Sequence, residues 1–527
     1  MTPAPEELRD QDTPPAWKPE WVAACLVLVF GLGFVFLMPP CQTPDEHAHF
    51  LRSYHVSDGN PMPAMVGSCG GGDIPISILT VPVPFGNLPL RPNSHTRLAT
   101  FAPLWSLPLS PEQRQTVRFP NSAYYSFVPY VPQALGIATA RSLGAGALAV
   151  HYAGRLGNLL LAVVLVFWAI RLTPIFKLVF ALVALMPMAV HQFACMSPDG
   201  SSFGVALLLT ALFLRLAVAR PAGGRAFELA GLFVVAGWMT LCKFPYGALT
   251  LLYLAIPAEH LGGRRRYLKL GFALMFLVAG LVVAQTQFRR FTSDGVPLPR
   301  STASIAGQLD FIRHDPLGYL QVMGQTVAEH GKIWIDQLGM LGWLDTFVNP
   351  LAMHWLFTML VLVALADRGP LGVPPLLLRL IALATAVLCV AVVLTAVYVC
   401  GIPVRAPLMN GMQGRYFLPV IPLLLMSLSN RRIVVRVRPD VLLALVTATG
   451  AGVLLIAQFA ALRRYYHRPS AQLWMSPLGV AAGLGLGAAI FYVMTRRRPA
   501  LREPGVALSS HVDFQAGEAC MPTSVSS

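Results

Sequence analysis

The amino-acid sequence predicts an all-α protein, a polytopic integral membrane bundle of about 12 helices with one large first extracytoplasmic loop. Of its 527 residues, 55% are hydrophobic and only 12% are charged, whereas a soluble protein carries about 25% charged residues. Apolar stretches reach the length of a membrane-spanning helix, which excludes an outer-membrane barrel. The 44 Gly and 44 Pro exclude a simple coiled coil.

The predicted spans follow the apolar stretches in chain order. The first is interpreted as a retained helix rather than a signal peptide, because an acidic segment precedes it and no small-residue cleavage site follows. The expected regions are a cytoplasmic tail (1–20), a membrane core (21–430), C-terminal membrane helices (431–495) and a cytoplasmic tail without regular structure (496–527). The spans lie near residues 21–38, 148–170, 178–190, 201–219, 227–242, 245–258, 269–287, 350–366, 379–400, 416–429, 440–462 and 473–495.

The distribution of basic residues predicts the orientation. The connections that are cytoplasmic when the N-terminus is inside carry 15 Lys and Arg, and the alternate short connections carry six. Because cytoplasmic loops are enriched in Lys and Arg, both termini are predicted to be cytoplasmic. Two long connections, 39–147 and 288–349, are then extracytoplasmic. The net charge of +15 is spread over these loops rather than gathered in one patch, so a nucleic-acid partner is not expected.

Polar residues gather where the first long connection begins. Thr43-Pro44-Asp45-Glu46 has the pattern of a capping box, in which Thr43 caps a helix that starts at Pro44. Capping explains Glu46 better than it explains Asp45 or His49. On a helix, Asp45 and His49 would share one face, which suits either a general base with an orienting imidazole or two ligands of a divalent cation. A metal site would need a third ligand from elsewhere.

Three further polar positions lie at the same side of the predicted membrane. Asp199 follows Ser197 and Pro198, an arrangement that helix capping explains equally well. Lys243 lies in a short turn between spans, where a snorkelling lysine is the alternative to a functional one. Arg415 enters a span from outside, where a guanidinium either binds a phosphate with two parallel hydrogen bonds or anchors the helix at the interface.

Arg155 lies inside the outer part of an apolar span. An unpaired cation is costly there, so a functional or ion-paired role is expected. Neither GxxxxGK[ST] nor GxGxxG occurs in the chain, which argues against chemistry on a cytosolic nucleotide. The scattered cysteines form no metal-binding spacing, and a disulfide between Cys41 and Cys69 is left open.

Six motifs, taken together and in order, resemble the bacterial family catalogued as domain of unknown function 2142. The resemblance covers about residues 20 to 430, and the layout of that family is similar to the GT-C membrane glycosyltransferases. The motifs are PDEHAHFLRSY (44–54), YVPQALGI (130–137), YAGRLGNLLLA (152–162), SPDG (197–200), KFPY (243–246) and QGRYFLPVIPLLL (413–425).

The GT-C resemblance implies a membrane glycosyltransferase of the bacterial inner membrane. Its donor would be a polyprenyl-phosphate-linked sugar drawn from the membrane lipid, and its acceptor an envelope glycan or protein. It implies that Asp45 is the catalytic base, with Glu46 as the alternate and His49 as an orienting group. No cofactor is required, although a divalent cation on Asp45 and His49 is the alternative. The residues expected to bind substrate or lipid phosphate are Lys243, Arg415, Tyr416, Gln413, Arg155, Asp199 and Arg52.

Two other function classes fit parts of the pattern. A transporter or flippase would also carry an intramembrane arginine and spans interrupted by Pro and Gly. However, such a protein is expected to place its polar groups near the middle of the membrane, and most of them gather here at the outer side. A polymerase or ligase of envelope polysaccharide would share the lipid donor and the outer arginines. Convergence of Asp45, Lys243 and Arg415 in one cavity is the feature that favours an enzyme.

Overall fold

The computed structural model describes residues 17–67, 69–219, 225–289, 304–367, 374–429, 435 and 437–466. Most of these residues are helical, which confirms the predicted polytopic helical bundle. In this part of the chain, six helices are long and apolar enough to cross a membrane, and five apolar helices are shorter. The predicted span at 473–495 and the tail at 496–527 lie outside the described residues.

The first half of the chain contains the first spanning helix, the long first connection and the centre of the bundle. The elements in chain order are α1 (Pro19–Leu37), α2 (Glu46–Ser57), β1 (Ala64–Val66), β2 (Cys69–Pro75), α3 (Ile76–Thr80), α4 (Ala102–Trp105), β3 (Arg114–Arg118), α5 (Pro120–Ala123), α6 (Val131–Ser142), α7 (Ala147–Leu172), α8 (Lys177–Ala184), α9 (Pro187–Phe193) and α10 (Pro198–Val218), with 3₁₀ turns at Val83–Phe85, Leu98–Phe101 and Val128–Tyr130.

The second half adds peripheral helices and a second long connection. Its elements are α11 (Arg225–Cys242), α12 (Arg264–Arg289), α13 (Ile305–His314), α14 (Pro316–Asp336), β4 (Met340–Leu341), β5 (Thr346–Phe347), α15 (Pro350–Ala366), α16 (Leu376–Gly401), α17 (Ile421–Leu428) and α18 (Pro439–Tyr466), with 3₁₀ segments at Phe244–Ala255, Ala258–Leu261, Gln337–Gly339 and Gly414–Val420.

Three predicted spans differ from the simple helices that the sequence suggested. The predicted span 416–429 is the 3₁₀ segment Gly414–Val420 followed by α17. The predicted span 178–190 is two short helices, α8 and α9, because Pro187 starts a new helix after Met186 takes an extended conformation. The predicted span 245–258 is a 3₁₀ helix of 12 residues, Phe244–Ala255. Since a 3₁₀ helix rises about 2.0 Å per residue and an α-helix about 1.5 Å, this segment reaches about 24 Å instead of about 18 Å.

The first connection is a folded unit rather than a loop. It carries a three-stranded antiparallel sheet in the order β1-β2-β3, which the all-α prediction did not include. Gly71 and Gly72 in the central strand pair with Arg118 and Val117. The sheet packs beside α2, and the connection ends in α6, which lies against α7. Helix α2 therefore contacts both the sheet and α6.

One ion pair fastens this connection to the bundle. Arg155, on α7, binds Glu46 with two parallel hydrogen bonds of 2.8 Å, from Nε to Oε1 and from Nη2 to Oε2. Both side chains are fully buried. The other donors of Arg155 go to the carbonyl oxygens of Val35, Met38 and Pro39. These oxygens lie at the end of α1, where helix carbonyls lack partners and a cation is favourable.

The capping box predicted at Thr43–Glu46 does not form, because the Glu46 side chain binds Arg155 instead. Helix α2 begins at Glu46, after Asp45 in a left-handed conformation (φ 63°), and no side chain caps it. Thr43 instead lies with its hydroxyl 3.5 Å from His191 Nε2. Cys41 and Cys69 are both free thiols, so the disulfide left open by the sequence is not present.

We expect Arg155→Met to lower the free energy of unfolding by about 3–5 kcal/mol, because it leaves the Glu46 carboxylate buried without its partner. Chemical denaturation in detergent measures this change. Arg215→Met is the matched control, since Arg215 also binds a glutamate, Glu228, through a 2.7 Å contact, but with side-chain exposures of 40% and 28%. A pair exposed to this extent is worth about 0–1 kcal/mol. Equal losses in the two variants would contradict the structural role of the Arg155 pair.

Candidate active site

Asp199 is the centre of a charged cluster at the start of α10. Ser197 is the N-cap and accepts a hydrogen bond from the backbone N–H of Asp199 at 3.1 Å, and Pro198 is the first helical residue. This is the predicted capping arrangement. Capping, however, uses Ser197, and the Asp199 carboxylate is left for other partners. The sequence could not distinguish the two roles.

Lys243 and Arg415 converge on this carboxylate. Lys243 Nζ binds Asp199 Oδ1, and Arg415 Nε lies 2.7 Å from Asp199 Oδ2. The three side chains are nearly buried, with exposures of 10%, 5% and 11% for Lys243, Arg415 and Asp199. Two cations thus face one carboxylate in direct contact, and the charge of Asp45 also acts on Arg415.

Arg415 has unused hydrogen-bonding capacity. Although Nε is close to Asp199, its geometry is not that of a hydrogen bond, and Nε and Nη1 have no hydrogen-bond partner among the described residues. A buried guanidinium without partners is unfavourable, because its donors have lost water and gained no acceptor. An incoming anion with several oxygens would satisfy these donors. The side-chain oxygen of Gln413 is also buried without a partner.

The aromatic residues around the cluster position its cations. Lys243 Nζ lies 4.5 Å from the ring centroid of Tyr416 and 5.9 Å from that of Tyr125, and Arg415 Cζ lies 5.4 Å from the Tyr416 ring. Such cation–π contacts stabilise charges away from water. The hydroxyl of Tyr246 donates to the backbone oxygen of Tyr416 at 2.6 Å, which holds this ring in place.

The backbone adds to the positive character of the site. Lys243 is the N-cap of the 3₁₀ helix Phe244–Ala255, and Asp199 lies in the first turn of α10. Helix N-termini carry partial positive charge and favour anions. Gly414 lets the segment that carries Arg415 pack closely against the second long connection. A Cβ at this position would lie 2.3 Å from the backbone oxygen of Trp334. The second long connection thus supports the site, which the sequence did not reveal.

Asp45 and His49 lie beside this cluster. The Asp45 carboxylate accepts a 2.8 Å hydrogen bond from Asn121 Nδ2. His49 is buried, and its Nδ1 lies 2.9 Å from the hydroxyl of Tyr130. A non-glycine residue in the left-handed region, as Asp45 is, is uncommon and is often found at functional sites.

The pKa of His49 reports the charges that surround it. Burial lowers this pKa from the ordinary value of 6.5 to about 4. The carboxylates of Asp45 and Asp199 oppose the shift, and the cations of Arg415 and Lys243 add to it. His49 is therefore neutral at pH 7, and all four charged residues are close enough to act on it. Lys243 and Arg415 therefore meet at Asp199, and Asp45 lies within electrostatic range of the same histidine.

Three other predicted site residues lie apart from this cluster. Glu46 and Arg155 bind each other, and all five N–H groups of Arg155 are used, so none is left for a lipid phosphate. Arg52 donates to His55 Nδ1 and to the backbone oxygens of Asn60 and Pro61, at the far end of α2. We therefore do not propose a phosphate contact for Arg52 or Arg155, and we do not propose a catalytic role for Glu46.

The alternative of a divalent cation on Asp45 and His49 lacks a third ligand of the usual kind. Among the described residues, no group of three or more His, Cys, Asp and Glu side chains is arranged to hold a metal ion. Asp45 precedes α2 rather than lying on it, so the two side chains do not share a helix face as the sequence suggested.

The helices and the buried charges at one end of the bundle define a multi-pass helical membrane protein with a polar site under a folded loop. The family model of predicted membrane proteins called DUF2142 matches residues 28–424, and the chain belongs to this family. The comparison with curated proteins gives no match.

Among solved structures, the chain is similar to ArnT from Cupriavidus metallidurans. The apo form is 13% identical with a TM-score of 0.36 over 90% of this chain and 77% of ArnT. The form bound to undecaprenyl phosphate is 12% identical with a TM-score of 0.38 over 90% of this chain and 75% of ArnT. Likeness of this degree says nothing about the residues of the site.

We expect His49 to make the protein less stable as the pH falls from about 6.5 to about 4. In this window the unfolded chain binds the proton that folded His49 excludes, so acidification favours unfolding. His49→Gln removes this proton uptake, and its unfolding temperature should fall less than that of the wild type over the same range. His314→Gln, at a residue whose side chain is 68% exposed, is the control. Parallel curves for wild type and His49→Gln would contradict a buried neutral imidazole.

Proposed function

We propose that the protein is a membrane glycosyltransferase that transfers a sugar from a polyprenyl-phosphate donor to a cell-envelope acceptor on the outer side of the inner membrane. The observation that carries the proposal is the buried cluster of Asp199, Lys243 and Arg415, in which guanidinium donors lack partners. A phosphate provides the charge and the oxygens that these donors need. The reaction class follows from the layout of the family that the motifs resemble, which is similar to that of the GT-C glycosyltransferases.

Asp45 is the candidate base, and Asp199 is not. Both carboxylate oxygens of Asp199 are engaged by cations, so this residue holds the phosphate-binding groups in place. Asp45 is bound by the neutral amide of Asn121 and is only partly buried, so its second oxygen can meet an acceptor hydroxyl. A general base must be within hydrogen-bond reach of the proton that it takes.

The reaction breaks one bond at the anomeric carbon of the donor and forms another. The acceptor oxygen attacks the anomeric carbon, its proton passes to Asp45, and the bond between that carbon and the phosphate oxygen breaks. The electron pair leaves with the polyprenyl phosphate. Arg415 and Lys243 stabilise the negative charge that develops there, which is the largest contribution in many transfers of this kind. His49 is neutral at pH 7.

The outer location is supported by the excess of basic residues in the opposite connections. The site lies at the end of the bundle that carries the folded first connection, since Asp45, Lys243 and Asp199 are all at helix ends on that side. Tyr416 and Tyr125 are aromatic surfaces beside the cations on which a sugar could stack.

Arg415→Lys should weaken binding of undecaprenyl phosphate at least tenfold, about 1.4 kcal/mol, because lysine keeps the charge but loses the two-donor face of guanidinium. Titration of the purified protein in detergent measures this affinity. Arg405→Lys is the matched control on the same connection, since Arg405 is exposed and lies over the Phe311 ring at 5.5 Å. Undecaprenol, which lacks the phosphate, should bind neither protein tightly. Equal affinities of the two variants would reduce Arg415 to an interfacial anchor.

Asp45→Asn should abolish sugar transfer and leave undecaprenyl phosphate binding within about twofold, because asparagine keeps the shape and tolerates the left-handed backbone but cannot take the proton. The assay follows release of undecaprenyl phosphate from lipid-linked sugars extracted from bacterial membranes, by mass spectrometry. Asp310→Asn is the control, an exposed carboxylate on α13. Wild-type turnover in Asp45→Asn would contradict the base. Donor binding by the wild type with no release in any extract would contradict the transferase and favour a transporter.

A further inference from the structure

Two adjacent tyrosines, Tyr124 and Tyr125, lie beside both halves of the candidate active site. They follow α5, the short helix that carries Asn121, and the Asn121 side chain donates to the carboxylate of the candidate base, Asp45. On the other side, the centroid of the Tyr125 ring lies 5.9 Å from Lys243 Nζ. One short stretch of the chain therefore reaches from the candidate base to the cations.

The charges of the site act on the Tyr124 hydroxyl from both of these sides. Partial burial raises the pKa of Tyr124, and the carboxylates of Asp45 and Asp199 add to the shift. Because such an interaction weakens with distance, the hydroxyl lies near the candidate base and also near the carboxylate that holds the cations. The Tyr124 side chain is nevertheless 39% exposed, so a ligand can reach it.

The two tyrosines present a pair of hydroxyl groups whose hydrogen-bonding capacity is only partly used. The Tyr124 hydroxyl donates to the Tyr125 hydroxyl at 3.0 Å, and neither has another hydrogen-bond partner among the described residues. This bond uses one of the two protons, so the pair keeps one proton to donate and lone pairs to accept. The ring centroids lie 4.2 Å apart, with 33° between the ring planes. The two rings therefore form one aromatic surface beside the hydroxyl pair.

The proposed reaction requires the donor sugar to lie in this region. The anomeric carbon is bonded to the phosphate, for which Arg415 and Lys243 are the candidate ligands, and it is attacked by an acceptor oxygen that Asp45 deprotonates. The sugar must then lie between the base and the cations, where the tyrosines are. A sugar hydroxyl both donates and accepts, which matches the unused groups of the pair. The C–H face of a sugar ring also packs well on an aromatic surface.

We propose that Tyr124 and Tyr125 bind the donor sugar and determine which sugar is transferred. This inference rests on the proposed transferase function, and it assigns the choice of sugar to hydrogen bonding by the hydroxyl pair. A sugar with a hydroxyl directed at the pair satisfies both the free proton and a free lone pair. An epimer with that hydroxyl on the other side of the ring leaves them unpaired in the complex, which disfavours it.

The test compares the affinities of the purified full-length protein in detergent for undecaprenyl phosphate and for the same lipid carrying glucose, galactose or mannose. Galactose and mannose each differ from glucose in the orientation of one hydroxyl. The wild type should bind one of the sugar lipids at least about tenfold more tightly than the bare lipid. In the double variant Tyr124→Phe/Tyr125→Phe this advantage should fall about threefold to tenfold, the effect of one or two hydrogen bonds. Both rings remain in this variant, including the one beside Lys243.

The advantage is a ratio of two affinities of the same variant, so a loss of folded protein or of phosphate binding does not change it. Tyr319→Phe/Thr395→Val is the matched control, because these hydroxyls also form a pair, 2.6 Å apart, on helices that carry no residue of the charged cluster. It should keep the wild-type advantage.

Three results would overturn the sugar site alone: equal binding of the bare and sugar-bearing lipids by the wild type, an unchanged advantage in the double phenylalanine variant, or an equal fall in the control. A wild type that binds none of these lipids would overturn both the sugar site and the proposed function.

Discussion

The buried pair of Arg155 and Glu46 is the interaction on which the arrangement of the protein depends. It joins the end of α1, the start of α2 and the first half of α7 in one fully buried set of hydrogen bonds. Removing both charges from water is costly, and the pair is tolerable because every donor of the guanidinium has an acceptor. Since Asp45 precedes Glu46 and His49 follows one helical turn later, the pair fixes their positions as well.

The charged cluster at Asp199 differs from the Arg155 pair, because donors of its arginine lack acceptors. Around Arg155 every donor is satisfied, whereas Arg415, almost as deeply buried, keeps donors that no described residue accepts. Asp199 brings Arg415 and Lys243 together but cannot satisfy both of them. Two arginines of similar burial thus differ in whether their donors have acceptors, and this difference is the basis on which a ligand is proposed for Arg415 and not for Arg155.

The sequence predicted the spanning helices well, because length and hydropathy suffice for them, as in α1, α7 and α10. It located the outer acidic and basic motifs but not their partners. Glu46 and Arg155 are separated by 109 positions, and no local pattern indicates such a contact. The same limit hid the pairing of Asp199 with Lys243 and Arg415. Strands β1–β3 were missed because their glycine-rich segment lacks the alternating apolar pattern of a strand.

Helix α2 connects the candidate active site, at Asp45, to the folded part of the first connection. Its first turn is held by Arg155, and its last turn is held by Arg52, whose donors close the loop at Asn60 and Pro61. A helix fixed at both ends behaves as a rigid spacer of constant length. The distance between Asp45, before its first residue, and His55, in its last turn, is then set by the backbone and not by flexible side chains.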